Sequence, residues 1–188
     1  MAKEKLITIT QLKENLKDFT QKELTALIIE ISKSCPQAKE FLTLRFLKNT
    51  DEVVQKYKKK IENEFYPSRG YGRLNLREAK KAISDFKKIC SDKTHHIDLL
   101  LYYVENCVDF TSDYGDINES FYNSAESVFE QAVKVINATD KAVYEQFKQR
   151  INHIVDKAID GWGFKDSLDY IRDEIDWFDD EEDGDDNV

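Results

Sequence analysis

The chemistry-bearing residues of this chain gather in a few stretches, and the densest of them is basic. Between residues 56 and 88, Lys56, Lys58, Lys59, Lys60, Arg69, Arg73, Arg77, Lys80, Lys81, Lys87 and Lys88 face four acids, a net charge of +7. At its centre is Tyr66-Pro67-Ser68-Arg69-Gly70-Tyr71-Gly72-Arg73-Leu74. The glycines in that turn let backbone N–H groups approach a ligand closely. The helix that follows adds its positive dipole end and unpaired N–H groups. Forked guanidinium donors from Arg69, Arg73 and Arg77 suit a phosphate or a carboxylate. This predicts an anion-binding segment of Arg69, Arg73, Arg77, Lys80 and Lys81. Nucleic acid is a lesser candidate: clustered cations release counterions and tyrosines stack on bases, but a net charge of −9 opposes it.

A second stretch is acidic. Glu105 and Asp109 are four apart on one helical face, and Asp113 and Asp116 follow in a turn around Gly115. These four are the only candidates offered for a metal, and their spacing does not fit an EF-hand loop. Asp116 and Glu119 also match a helix cap and its box partner, so surface and capping roles are the plainer expectation. His153, Asp156 and Asp160 share one helix face, but no Glu-x-x-His motif accompanies them as a di-metal bundle would require. No nucleophile elbow, phosphate-cradling Walker loop or dinucleotide fingerprint occurs. No cofactor is expected. Trp162, held between Gly161 and Gly163, is a rigid aromatic at a chain break; with Tyr71 it is the candidate for anchoring a partner. Its plainer role is to lock the last helix in place.

The elements that must position these residues read as helices throughout. Only two prolines and six glycines occur, and they fall between periodic segments. Phe19-Thr20-Gln21-Lys22-Glu23-Leu24 is a capping box opening a helix over about 20–34, and Pro36 suits the first turn of the next. Thr50 is expected to cap a helix over 51–65 carrying Val53, Val54, Tyr57, Ile61 and Phe65. Asn75-Leu76-Arg77-Glu78 caps one running to about residue 88. Helices over 95–111, 118–137, 139–158 and 165–178 complete the set, with Thr139 as a further cap. Short connections imply antiparallel neighbours. The expected fold is therefore all-α, an antiparallel bundle or short helical superhelix of eight to nine helices, as one domain over 1–178. The run Asp179-Asp180-Glu181-Glu182-Asp183-Gly184-Asp185-Asp186 has nothing apolar to bury and is expected to be a disordered acidic tail over 179–188.

Composition bounds the setting. No run approaches eighteen apolar residues, so no membrane span is expected, and Met1-Ala2-Lys3-Glu4-Lys5 leads into a helical pattern without an apolar signal region; a cytoplasmic protein is the expectation. Cys35, Cys90 and Cys107 are odd in number and expected to be small buried thiols. The charge is unevenly spread. Residues 1–93 carry 21 Lys/Arg and 13 Asp/Glu, a net of +8, while residues 94–188 carry 7 and 24, a net of −17. That asymmetry makes head-to-tail self-association a further mode of assembly.

The chain resembles a family known as an uncharacterised bacterial domain of unknown function. The resemblance lies in Tyr57-Lys58-Lys59-Lys60-Ile61 through Arg69-Gly70, and in Ala79-Lys80-Lys81-Ala82-Ile83-Ser84-Asp85-Phe86-Lys87-Lys88. It continues in Tyr102-Tyr103-Val104-Glu105, in Asp113-Tyr114-Gly115-Asp116 with Phe121-Tyr122-Asn123-Ser124, and in Gly161-Trp162-Gly163-Phe164. It covers about residues 10–178. It implies an all-helical fold and a bacterial cytoplasmic setting, and brings no activity, cofactor or catalytic residue. The expected function is a non-enzymatic interaction or scaffold domain whose basic segment binds an anionic partner, an acidic protein surface first and a phosphate-bearing ligand second. The contrasting expectation is a phosphate- or nucleic-acid-directed enzyme or accessory protein that combines Arg69, Arg73 and Arg77 with the nearby acids.

Overall fold

The computed structural model describes residues 6–47, 50–70 and 72–178. Among them the secondary structure is nine α-helices and one short 3-10 turn, with no strand. None of these helices is long and apolar enough to cross a membrane. The chain divides into two compact units, Met1–Lys48 and Asn49–Val188. Tyr71 and the acidic run over 179–188 lie outside the described residues.

The first unit holds α1 (Ile9–Leu16), α2 (Gln21–Ser34) and α3 (Pro36–Phe46). The capping box at Thr20 forms in both directions: Glu23 N–H donates to the Thr20 hydroxyl at 3.3 Å, and the Glu23 carboxylate accepts from Thr20 N–H at 2.8 Å. An unforeseen twin opens α1, where Thr8 and Gln11 make the same reciprocal pair. Pro36 sits in the first turn of α3 as expected, where its missing N–H costs nothing. No residue of these three helices is buried, and Ile28, Ile29, Phe41 and Phe46 are exposed.

The second unit is built around α6 (Lys93–Tyr114), against which α4 (Asp51–Phe65), α5 (Leu76–Ile89), α7 (Glu119–Asn137) and α8 (Lys141–Lys157) pack. The 3-10 turn Gly161–Gly163 leads into α9 (Phe164–Asp173), which lies on α7 and α8. The consecutive Leu99, Leu100 and Leu101 of α6 are all buried, because helices cover α6 on several sides. Edge-to-face aromatic pairs tie the core across elements: Tyr57 of α4 on Phe86 of α5 at 5.2 Å between centroids, and Phe65 of α4 on Tyr103 of α6 at 5.8 Å.

Several helix ends differ from the sequence expectation. Thr50 precedes α4 but has helical backbone angles and makes no side-chain cap bond. The cap of α8 is Asp140, which accepts from Val143 N–H at 3.0 Å, while the Thr139 hydroxyl donates back to the Ile136 carbonyl. The last helix stops at Asp173, and the chain continues in turns to Phe178, whose ring lies 4.5 Å from the Arg172 guanidinium. Cys90 and Cys107 are buried as expected; Cys35, between α2 and α3, is exposed.

Candidate functional site

The loop between α4 and α5 is pinned by its backbone. At Gly72 a Cβ would lie 2.1 Å from the Phe65 carbonyl oxygen, so only glycine lets the loop rest on the last turn of α4. Leu74 takes a left-handed φ of 47° and donates its N–H to the Glu64 carbonyl at 2.9 Å. That conformation is rare for a leucine and is held by its surroundings. Asn75 then caps α5, accepting from Glu78 N–H at 3.3 Å. Arg69, Arg73 and Arg77 are all exposed, and none makes an ion pair with a described residue. Arg77 lies in the first turn of α5, where the helix dipole adds positive potential of its own.

Beneath the loop lies a cleft of about 390 Å³ walled by Phe65, Tyr66, Pro67, Leu74, Phe110 and Tyr114. The rings of Phe110 and Tyr114 are 4.5 Å apart, and Tyr66 tilts onto Phe110 at 5.8 Å. The Tyr66 hydroxyl donates to Asp113 at 3.0 Å. Burial, and then that carboxylate, push the Tyr66 phenol above its ordinary range, so it stays a donor.

Each acid once weighed as a metal ligand has a different partner. Arg150 forks onto Glu105, Nε to Oε1 at 2.5 Å and Nη2 to Oε2 at 2.9 Å, and reaches Asp98 with Nη1 at 2.5 Å. Lys58 holds the same Asp98 carboxylate at 2.8 Å. Burial works to lower the Arg150 pKa, but the bonds and charges of Glu105 and Asp98 outweigh it and hold the guanidinium above its usual value. Asp109 pairs with Lys157 at 2.7 Å, and Asp113 accepts from Tyr66. Asp116 accepts from the Tyr122 hydroxyl and from Trp162 Nε1–H, the latter at 3.0 Å. Among the described residues no cluster of three ligating side chains is set to hold a metal ion. The capping role read for Asp116 and Glu119 is corrected too. Asn118 caps α7, accepting from Phe121 N–H at 3.1 Å, and Glu119 is simply its first residue.

Trp162 combines a fixed base with an open face. Its backbone adopts a left-handed φ of 55°, and its side chain is 64 % exposed. At the preceding Gly161 a Cβ would lie 2.7 Å from Asp116 Oδ1, so the close approach of that carboxylate needs glycine there. Two stretches that are distant in sequence, one holding Asp116 and Tyr122 and the other Gly161-Trp162-Gly163, thus meet at one point. His153, Asp156 and Asp160 are exposed on α8 and its end.

The two lysines grouped with the arginines face different surroundings. Lys81 pairs with Glu78 at 3.3 Å and lines a mixed-charge hollow with Lys60, Glu64 and Asp85. Lys80 lines a cavity of about 240 Å³ between α5, α6 and α7, together with Ser84, Lys87, His96 and Gln131. His96, which no motif marks in the sequence, is the one histidine of this cavity. It is buried, and burial followed by the charge of Lys87 lowers its pKa below 6.5. Lys80, Ser84 and Lys87 lie at i, i+4 and i+7 on one helical face. That spacing was legible, but its partners come from two other helices and only packing brings them together.

No curated protein and no solved structure matches the chain. The model of one family, described as a Family of unknown function (DUF6155), matches residues 7–176, across both units. With all but a few residues at either end inside that match, the chain belongs to this family of unknown function.

Proposed function

We propose that this chain is a helical interaction domain, non-enzymatic, whose basic loop and helix from Arg69 to Lys81 dock the acidic surface of a partner protein. One observation carries this reading. Arg69, Arg73 and Arg77 project from a pinned loop and helix start with no carboxylate of the described chain against them. By contrast the cations Arg150, Lys157 and Arg172 of the acidic half are spent on its own acids. Cations left free at a helix start favour an external negative group, although Glu78 and the Asn75 cap offset part of the α5 dipole.

The surroundings favour a protein over a small molecule. None of the three arginines lines the cavities described above, whereas the aromatic cleft under their loop suits an apolar anchor side chain. The partner surface that fits both features is acidic and carries one bulky apolar residue. The contrasting enzymatic reading needs acids 105–116 free to hold a divalent ion, and each is engaged elsewhere.

Retention of the folded chain on an anionic matrix tests the reading. Arg73→Ala with Arg77→Ala should elute at clearly lower salt than the parent, with a thermal midpoint within about 2 °C, since exposed side chains without partners contribute little to stability. Unchanged retention counts against the site.

A further inference from the structure

We infer that the cavity between α5, α6 and α7 is a binding site for a phosphate group, with Lys80 and Lys87 as its two cationic donors and Ser84, His96 and Gln131 as its neutral ones. This site is distinct from the arginine loop and shares only Lys80 with the segment proposed to dock a protein.

Its construction is specific. Three helices each supply one face: Lys80, Ser84 and Lys87 from α5, His96 and Leu100 from α6, Val128 and Gln131 from α7. The helices fix the backbone positions from which these donors extend, while the lysine stems remain free to turn toward a ligand. No carboxylate lines the cavity, and neither Lys80 nor Lys87 makes an ion pair with a described residue. Two ammonium groups are therefore set beside an apolar wall of Leu100 and Val128, and beside a buried imidazole, with nothing negative among them. A dianion bound in this cavity would be attracted by both lysine charges and meet no carboxylate in its lining. The field is felt at His96, which burial and Lys87 together keep neutral.

The donor types and the size choose the ligand. Lysine ammonium groups act as compact point charges suited to phosphate, whereas planar bidentate recognition of a carboxylate is the work of arginine. A phosphate dianion matches two ammonium charges, and the hydroxyl, imidazole and amide satisfy its remaining oxygens. At about 240 Å³ the cavity falls below the roughly 300–1,000 Å³ of pockets for drug-sized ligands. It has room for inorganic phosphate or for the phosphate end of a small phosphomonoester, whose remaining part would extend into solvent.

Calorimetric titration of the full chain at constant ionic strength, with inorganic phosphate, glycerol 3-phosphate and chloride, tests the site. One phosphate-type ligand per chain is expected, with chloride giving no heat above dilution. Binding of inorganic phosphate alone identifies the free ion as ligand, and stronger binding of the ester identifies a small phosphorylated molecule; either result supports the site. Lys80→Met with Lys87→Met should weaken binding at least tenfold. Lys87→Ala, at an exposed position that the fold tolerates, should weaken it severalfold with an unchanged thermal midpoint. Arg73→Ala with Arg77→Ala should bind phosphate like the parent, so loss of protein docking and loss of this site are separable. No heat with either phosphate ligand, full affinity in Lys87→Ala, or loss of phosphate binding in the arginine variant would each overturn the inference.

Discussion

Arg150 is the residue on which most of the internal charge chemistry converges, and no motif marks it. It satisfies Glu105 through two bonds and shares Asp98 with Lys58, in a setting where the three side chains of its own pairs are 17–28 % exposed. Replacing it by methionine leaves Asp98 a partner and Glu105 none. Arg150→Met should therefore lower unfolding free energy in urea by about 2 kcal/mol, between the cost of an exposed pair and that of a fully buried one. A loss under about 0.5 kcal/mol would show that water already satisfies Glu105. Gly161→Ala acts through the Asp116 carboxylate that rests against it. A Cβ 2.7 Å from Asp116 Oδ1 and 3.3 Å from the Tyr122 hydroxyl turns that carboxylate aside and weakens its bonds, at about 1 kcal/mol. Quenching of Trp162 fluorescence should change in the same variant, because the indole loses its bond to Asp116.

His96 gives a pH signature of defined sign. Lys80 and Lys87 of α5 and the uncharged Gln131 of α7 line the cavity with it, and its folded pKa lies below the unfolded value of about 6.5. The unfolded chain thus binds the proton more readily. The stability this group contributes is present above pH 6.5 and is lost as pH falls through the depressed folded value. His96→Gln should therefore show a smaller loss of thermal midpoint between pH 7 and pH 5 than the parent. Equal slopes in the two proteins would contradict the assignment.

At the scale of elements, helices were legible wherever a local signal fixed them. Thr20 with Glu23, Asn75 with Glu78 and Pro36 each act within one turn, and all stand where the sequence put them. Thr50, Thr139 and Asp116 carry the same residue chemistry but were misread: a neighbour takes the role from Thr139 and Asp116, and the backbone of Thr50 is wrong for it. Asp140 and Asn118 have the extended backbone of a cap, whereas Thr50 is already helical. Removing the amide that caps α5 with Asn75→Ala should cost about 1 kcal/mol in urea unfolding. The loop before it depends on contact rather than propensity. At Gly72 an added Cβ meets backbone at 2.1 Å, which no side-chain rotation relieves, so Gly72→Ala should lift the loop from α4. That change should weaken retention on an anionic matrix although no cation is removed.

At the scale of the whole molecule, the sequence already shows charge divided between halves, +8 over residues 1–93 and −17 over 94–188. What it hides is which charges remain available. Spacing cannot tell that Lys157 is spent on Asp109, 48 residues away, or that Lys80 and Lys81, neighbours in sequence, face separate hollows. Both facts depend on how α5 to α8 pack, and a one-residue step along a helix turns a side chain by about 100°. The same packing brings Trp162 to Asp116, 46 residues away, where Tyr122 already donates from six residues along the chain.

The account rests on an unneutralised basic surface between Arg69 and Arg77, and the binding of a labelled glutamate-rich peptide carrying one leucine measures it directly. By fluorescence anisotropy, affinity should fall steadily as salt is raised, as expected of contacts between exposed charges. It should drop at least tenfold when Arg69, Arg73 and Arg77 are changed to glutamate, and weaken when the leucine is replaced by serine. Peptide binding that ignores salt and survives the triple charge reversal would contradict it.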